Sequence, residues 1–598
     1  MMRRSCPPSF SSSSSPPAHS PGRLPPSWSP SPSGEPFAVP NGNSPAPAGC
    51  GGPWYSATPA RGSTGSPNRV FSVKTHPPNG LRSGKDQPPW PVAERRGAAM
   101  SVLVTRRQLF AGAAAGTAVV ALPTLVGSAA SASAATRYAP FPVGYSTGSS
   151  LLFETHANIA KTLDTIVASG GTLVRFDIMW VLAQPTQTTF DWGIFDYAVS
   201  ESRARNLTIL GIITTCPRWA ALNGGNDGGT MRPKTTALYA TFAGVVAKRY
   251  KGKIAAYEIW NEPNSRDYYA PDPDPTFYGQ MVKAAYPKIK AADPAATVIA
   301  GVLGPAPDAD GMMNPIRFAT AMYAAGAGGF FDAFSFHPYD FTQDLAKASL
   351  WDNTPARRMI EIHALMKANG DGQKKIWITE FGAPTGTGGV TEAKQAGLIH
   401  DSLIEWGEVS YAGPFLIFTV TDNTNETFGV VSSTFVAKQS LDVVKQLQAS
   451  GLPLGTRGKA FKANADPALG AVVSVNYPMG TGAAQECENG TRYQTPNGWF
   501  SSPPAVATLA RRYQFVQKTS FANTYQDYDR KGGFRIFYTA ATGAHAVAGV
   551  ILAKWTSALG AAKTDEYTYA ADGSRANDFQ HGRIVWSATT GIVTVTRY

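Results

Sequence analysis

Between residues 140 and 450, short β-rich runs alternate eight times with longer amphipathic stretches, and this alternation limits the fold of the 598-residue chain more than any other property. Strand-like runs stand at 141–146 (FPVGYS), 173–178 (LVRFDI), 208–213 (TILGII), 254–260 (IAAYEIW), 297–302 (TVIAGV), 331–336 (FDAFSF), 376–380 (IWITE) and 415–420 (FLIFTV). Helix-like stretches lie near 155–169, 192–205, 235–250, 276–291, 315–326, 355–369, 392–408 and 437–449. Thr354-Pro355 and Asp274-Pro275 each offer a helix N-cap followed by Pro at the first helical position. Repeated βα units build a parallel sheet with helices on its outer face. Eight units in about 310 residues predict the α/β class and a TIM-type (β/α)₈ barrel over 136–455. An open doubly wound sheet usually stops at five or six strands and would need a phosphate-binding Gly loop, which the sequence lacks. In such a barrel the chemistry sits at the C-terminal ends of the strands, so candidate residues are sought there.

The chain ahead of the barrel has another character. Residues 1–99 are crowded with Pro, Ser and Gly and show no sustained period, so they are expected to be disordered, or to be an extension upstream of a true start at Met100. Residues 100–135 combine paired Arg106-Arg107, an Ala/Gly/Val-rich apolar stretch and small residues at Ala132-Ser133-Ala134, which predicts a twin-arginine secretory signal. Pro123, the Ala/Gly content and the short apolar length argue against a membrane anchor, so no integral span is expected in the mature chain. Residues 1–134 hold twelve of the 53 Lys and Arg but three of the 41 Asp and Glu, so the formal +12 shrinks to +3 for the rest. That removes the main support for a nucleic-acid partner. Cys216 and Cys487 stand far apart, and no CxxC or HExxH spacing suggests a metal or any other cofactor.

Polar and aromatic residues gather where the expected strands end. The second strand runs out through Arg175, Asp177 and Trp180, and the third leads to Trp219. The fourth ends at Trp260-Asn261-Glu262-Pro263, the sixth at His337 and Tyr339, and the seventh at Glu380. Glu262 and Glu380 lie on strands three apart in a ring of eight, so they face each other across the mouth. Glycoside hydrolysis needs two such carboxyl groups, one to protonate the leaving oxygen and one to attack the anomeric carbon or activate water. An Arg and a Tyr hydroxyl would favour the ionised form of Glu380, whereas that charge and an aromatic wall would favour a protonated Glu262. Arg175 could equally pair with Asp177 or Glu380, and His337 before a Pro could be a satisfied structural group. Trp180, Trp219 and Trp260 could be core residues or sugar platforms.

The segments "EIWNEPN", "FHPY" and "IWITEFG", in that order, resemble the glycoside hydrolases whose acid/base and nucleophile are glutamates on barrel strands four and seven. Within that clan, "LVRFDIMW", "CPRWA", "AAYPKIKAADPAATVIAG" and "FFDAFSFHPYD" are most similar to family 39, which includes β-xylosidases and bacterial exopolysaccharide endoglycosidases, with family 5 cellulases next. The resemblance implies a retaining double displacement on a polysaccharide or oligosaccharide. Glu262 would be acid/base, Glu380 nucleophile, Asn261 a partner of the sugar 2-hydroxyl and Tyr339 a neighbour of the nucleophile, with Arg175 and His337 in the supporting shell. Arg175, His337, Asp177, Trp180, Trp219 and Trp260 are further candidates for contact with substrate. Such enzymes commonly present a Trp from the eighth strand, where this chain has Phe418.

Beyond residue 455 the βα rhythm ends. "GFRIFYTAATGAHAV" at 533–547 realigns with "HGRIVWSATTGIVTV" at 581–595, an offset of 48 that marks a repeated module. These residues resemble LGFP repeats of secreted actinobacterial proteins. The likeness covers roughly 480–598, with a degenerate first unit ("QECENGTRYQTPNGWF") and Ala561-Ala562 in place of the usual Phe-Pro after Leu-Gly. For 456–598 the resemblance implies a cell-envelope glycan as partner, although a repeat that only packs against the barrel is an open alternative. Two functions therefore compete: a secreted retaining glycosidase, and a non-catalytic carbohydrate-binding envelope protein that keeps a barrel.

Overall fold

The computed structural model describes residues 140–598 apart from 227, 228 and 425. The segments expected at 1–99 and 100–135 lie outside the described residues. Eight parallel strands form a closed barrel in sequence order: β1 (Val143–Gly148), β2 (Leu173–Met179), β3 (Thr208–Thr214), β4 (Ala256–Ile259), β5 (Thr297–Leu303), β6 (Ala333–Phe336), β7 (Ile376–Phe381) and β8 (Ala412–Phe418). Helices His156–Ala168, Gly193–Ala204, Thr236–Arg249, Pro275–Ala292, Pro315–Ala324, Pro355–Ala368, Glu392–Trp406 and Gln439–Ser450 follow them in turn. Each expected element is present to within three residues at either end.

The helix starts follow from side-chain chemistry. Thr155, Thr235, Asp274, Asn314, Thr354 and Thr391 each accept a backbone N–H two or three residues on, and Pro275, Pro315 and Pro355 open their helices. Each such cap contributes about 1 kcal/mol. Inside the barrel, Leu173, Leu210, Ala256, Ile299, Ala333 and Leu416 form a buried apolar layer. Side chains on one face of a strand recur every second residue. Two residues further along, the inward positions turn polar on three strands, with Arg175, Glu258 and Ser335. An apolar plug below and charge above confine any chemistry to the C-terminal mouth.

After the helix Thr456–Ala463 come three antiparallel sheets of four strands. They span Tyr477–Met479 to Gly498–Ser502, Val516–Gln517 to Gly543–Ala548, and Tyr567–Thr568 to Val593–Arg597. All three share one device: Arg492, Arg535 and Arg583 on the third strand stand opposite Gln485, Asp527 and Asp578 on the second and donate to them. The first unit, degenerate in sequence, thus keeps the same four-stranded framework. Between units, the Gln526 amide donates to Ser501 O (3.2 Å) and the Asn577 amide to Ala546 O (3.4 Å), so each later unit covers the last strand of the one before.

The first unit is docked on the barrel. Arg357 of the helix Pro355–Ala368 donates to both carboxylate oxygens of Glu486 at 2.8 Å, and Leu350 joins the buried cluster of Tyr477, Met479, Tyr493 and Val506. Tyr411 donates to Val473 O (3.0 Å), and Arg511 pairs with Asp352 (2.6 Å). For this unit, packing against the barrel is a fact of the structure.

Candidate active site

Arg175 organises the mouth. Its side chain has no exposed surface, and its N–H groups diverge to four partners on three other strands and the turn after β4. Nε donates to Glu258 Oε2 (2.5 Å), Nη1 to Glu380 Oε1 (2.5 Å) and Ser146 Oγ (2.9 Å), and Nη2 to Asn261 Oδ1 (2.9 Å). Only a planar guanidinium serves several acceptors in such fixed directions. The sequence left Asp177 and Glu380 open as partners; the hydrogen bonds go to Glu380 and to Glu258.

Glu380, near the end of β7, is 12% exposed and faces the cleft. It also accepts from Tyr339 (2.9 Å), and His337 Nδ1 lies 3.6 Å from Oε2. Burial pushes its carboxyl up, but the charges of His337 and Arg175 and the hydrogen bonds of Tyr339 and Arg175 outweigh this and hold it below the usual carboxylate range. Burial, followed by the Glu380 charge, drives the Tyr339 hydroxyl far above its ordinary value, so it stays a donor.

Glu262 reaches the mouth from a bent backbone. Trp260 (φ 68°) and Glu262 (φ 41°) both occupy the left-handed region, which costs about 1–3 kcal/mol per residue and clusters at functional sites. Backbone bonds from Trp260 N to Ile213 O (3.0 Å) and Glu262 N to Val302 O (2.9 Å) hold the bend, beside a register shift in β5 between Gly301 and Leu303. A Cβ on Gly304 would lie 2.9 Å from the Glu262 carboxyl, which would have to shift from its place beside His337. The buried Asn264 fixes that glycine by bonding both its N–H and its C=O. Glu262 is 17% exposed, and its Oε1 lies 2.9 Å from His337 Nδ1, while His337 Nε2 faces Thr379 Oγ1 at 3.1 Å. Burial lowers the affinity of His337 for its proton, but Glu380 and Glu262 raise it further, and the net direction is up.

Donor atoms of Glu262, His337 and Glu380 all lie within 4.8 Å of one another. Such a trio offers one ligand atom each to a cation. Arg175 and Tyr339 already occupy both oxygens of Glu380, however, and a guanidinium 2.5 Å away repels a second positive charge. The donor set fits one carboxylate held anionic beside a second carboxyl group better than a metal.

Four expected substrate contacts need correction. Trp180 has no exposed surface: a short helix, Trp180–Ala183, begins at once after β2 and stacks the indole on Phe242 at 5.0 Å. Trp260 is equally buried, turned by its positive φ so that Nε1 donates to Tyr268 O (2.7 Å). Neither can be a sugar platform. Arg175 and His337 are fully buried too, so they orient the glutamates and do not touch a ligand at the surface. Trp219 keeps a partly exposed ring, with Nε1 bonded to Gln184 O (3.1 Å). Asn261, Tyr339 and Asp177 also retain access to the mouth. The Asp177 carboxyl is pushed up to about 7 by burial, offset in part by Arg175 and reinforced by Glu380 and Glu258. Phe418 stands edge-on to Tyr339 at 6.3 Å and to Phe428 at 5.4 Å, so the eighth strand still supplies an aromatic wall beside Glu380.

Sequence reasoning missed Glu258, Asn264 and the exposed Tyr268. The signal for Glu258 was present: it falls on the inward face of a strand buried on both sides, where a charge needs a partner.

Residues 137–410 match the family model Cellulase (glycosyl hydrolase family 5), and residues 520–558 and 559–597 each match the LGFP repeat, a module typical of cell-envelope proteins. No curated protein matches the chain. Solved structures similar to it include a family 39 glycoside hydrolase from the gut symbiont Bacteroides cellulosilyticus WH2, at 19% identity and a TM-score of 0.43 over 60% of this chain and 71% of that one. A GH39 enzyme from Xanthomonas axonopodis pv. citri is 16% identical, with a TM-score of 0.40 over 58% and 71% of the two chains. A monomeric β-xylosidase from Caulobacter crescentus CB15 is 17% identical, with a TM-score of 0.39 over 52% and 70%. Among the described residues, no helix is long and apolar enough to cross a membrane.

Proposed function

From a barrel that is a glycoside hydrolase domain of the cellulase type, carried with LGFP repeats behind it, we propose an exported retaining glycosidase that cuts a polysaccharide by double displacement. The observation that carries this reading is the pair Glu262 and Glu380, with carboxyl oxygens within 4.8 Å across the mouth. Retaining enzymes hold their two carboxyl groups about 5–5.5 Å apart, whereas inverting ones leave about 6.5–9.5 Å for a water.

The unequal surroundings of the two groups support a division of roles. Glu380, kept anionic by Arg175 and Tyr339, attacks the anomeric carbon as the bond to the leaving oxygen breaks. Glu262 gives that oxygen its proton. Water then adds to the same carbon, Glu262 takes the water's proton, and the ester bond to Glu380 breaks. With its Oδ1 engaged by Arg175, Asn261 has its amide N–H groups left to meet the sugar 2-hydroxyl. Tyr339 and Phe418 offer apolar edges to the C–H faces of the ring.

Export rests on the leader around Arg106-Arg107. A cell-envelope glycan is the ligand proposed for the two outer repeats.

Nitrophenyl β-glycosides and a polysaccharide panel test the activity, and proton NMR of the released anomer tests retention. A 2-deoxy-2-fluoro glycoside should leave a covalent mass on the peptide that contains Glu380. An inverted product overturns the mechanism. A wild type that binds glycans and cuts none makes the chain a binding protein.

A further inference from the structure

Glu258 lies one layer beneath the reacting pair, and its side chain has no exposed surface. Its Oε2 takes the Arg175 Nε–H at 2.5 Å, while Oε1 has no hydrogen-bond partner among the described residues. A buried carboxylate with one idle oxygen is expensive to keep. Its only direct partner is the guanidinium that also grips Glu380 at 2.5 Å and Asn261 at 2.9 Å. One positive charge therefore stands between two negative ones, Glu258 below and Glu380 above.

We infer that Glu258 is a positioning residue for the nucleophile: it draws half of the Arg175 charge away from Glu380 and fixes the guanidinium plane that aims at Glu380 and Asn261. This rests on the reading of Glu380 as nucleophile. A carboxylate that owned the whole guanidinium would be a weak base and a weak nucleophile; shared with Glu258, the same contact orients Glu380 and leaves it reactive.

Other groups also face Glu380. Arg175 and Asp177 come from β2, Glu262 from the turn after β4, and Tyr268 from the loop beyond it. His337 and Tyr339 come from the end of β6, and Glu426 from the loop after β8. None of them except Arg175 hydrogen-bonds Glu258; the Glu258 charge also acts across space on Asp177, but the directed contact from Glu258 to Glu380 runs through Arg175.

The test removes the charge and keeps the volume. Glu258→Gln keeps an oxygen for the Arg175 Nε–H and removes the charge, at the cost of a buried amide N–H group where Oε1 has no partner among the described residues, and Glu258→Met is a second neutral variant should the first fold poorly. With either, the acid limb of the kcat/KM profile on a nitrophenyl glycoside should move down by about one pH unit, and the plateau should fall about tenfold. Glu258→Asp, which keeps the charge, should hold the limb in place. Carbon-13 NMR of protein labelled at the glutamate δ-carbons reads the same midpoint without turnover, with the Glu380 signal identified by its absence in Glu380→Gln. A limb and NMR midpoint that stay at the wild-type position in both neutral variants overturn the inference. If Glu380→Gln is dead while the midpoint stays, this inference falls alone. If Glu380→Gln still turns over while Glu258→Gln moves the NMR midpoint, the nucleophile assignment falls alone.

Discussion

Among the described residues, two buried arginines are paired with glutamates, yet they do opposite things. Arg357, between the barrel and the first repeat, gives both N–H groups of one fork arm to Glu486 and lies 5.9 Å from the Tyr477 ring; Arg511 lies 3.9 Å from the same carboxylate and pairs with Asp352, so two guanidinium groups are matched by two carboxylates. Arg175, at the mouth, is divided between Glu258 and Glu380. Balance makes a joint, because every charge is quenched and nothing is gained by letting a ligand in. An excess of carboxylate over guanidinium, with one carboxylate left facing the cleft, would suit the developing positive charge on a sugar carbon that the proposed mechanism requires.

Glu380→Gln removes the excess altogether and should lower kcat by about ten thousandfold on a nitrophenyl glycoside, with circular dichroism and melting unchanged. Arg175→Met leaves both carboxylates without their common cation; kcat/KM should fall about a thousandfold, and Asn261 should lose its orientation. Arg357→Met is the counterpart at the joint. It should cost about 2 kcal/mol, read as a lower melting temperature, with kcat unchanged, since the contact is buried but Glu486 keeps its Tyr477 bond. A large loss of kcat in that variant would merge the two regions that the comparison separates.

Smaller effects sharpen it. Gly304→Ala pushes a methyl group against Glu262 and should lower kcat about tenfold, more for poor leaving groups than for nitrophenol, because proton donation matters most there. Asp177→Asn should affect stability with a definite sign. A carboxyl raised to about 7 in the fold contributes fully only below its ordinary value, and that contribution is lost progressively as pH rises from there to about 7. The variant should therefore melt a few degrees higher than wild type at pH 8 and approach it as pH falls towards the ordinary carboxylate range.

Barrel, helix starts and rim were legible because each is written locally. Alternation of apolar runs sets the strands, and Thr or Asp before Pro sets the helix starts. What stayed hidden depended on direction. Trp180 and Trp260 follow strand ends and look rim-like, but a one-turn helix and a positive φ rotate them into the core. Glu258 looked like one more strand residue, since its partner is 83 positions away in sequence. The first repeat looked degraded because its second-strand acid is Gln485. Its framework survives because Arg492 needs only an acceptor there, and an amide oxygen serves.

The joint at Arg357 also has a mechanical meaning. A catalytic head on a slack tether sweeps a volume, but one bolted through a helix of its own barrel has a bearing. Residue pairs such as Arg357 with Glu486 and Arg511 with Asp352 fix the first repeat to the barrel, so a ligand held by the outer units would set the direction in which the mouth looks.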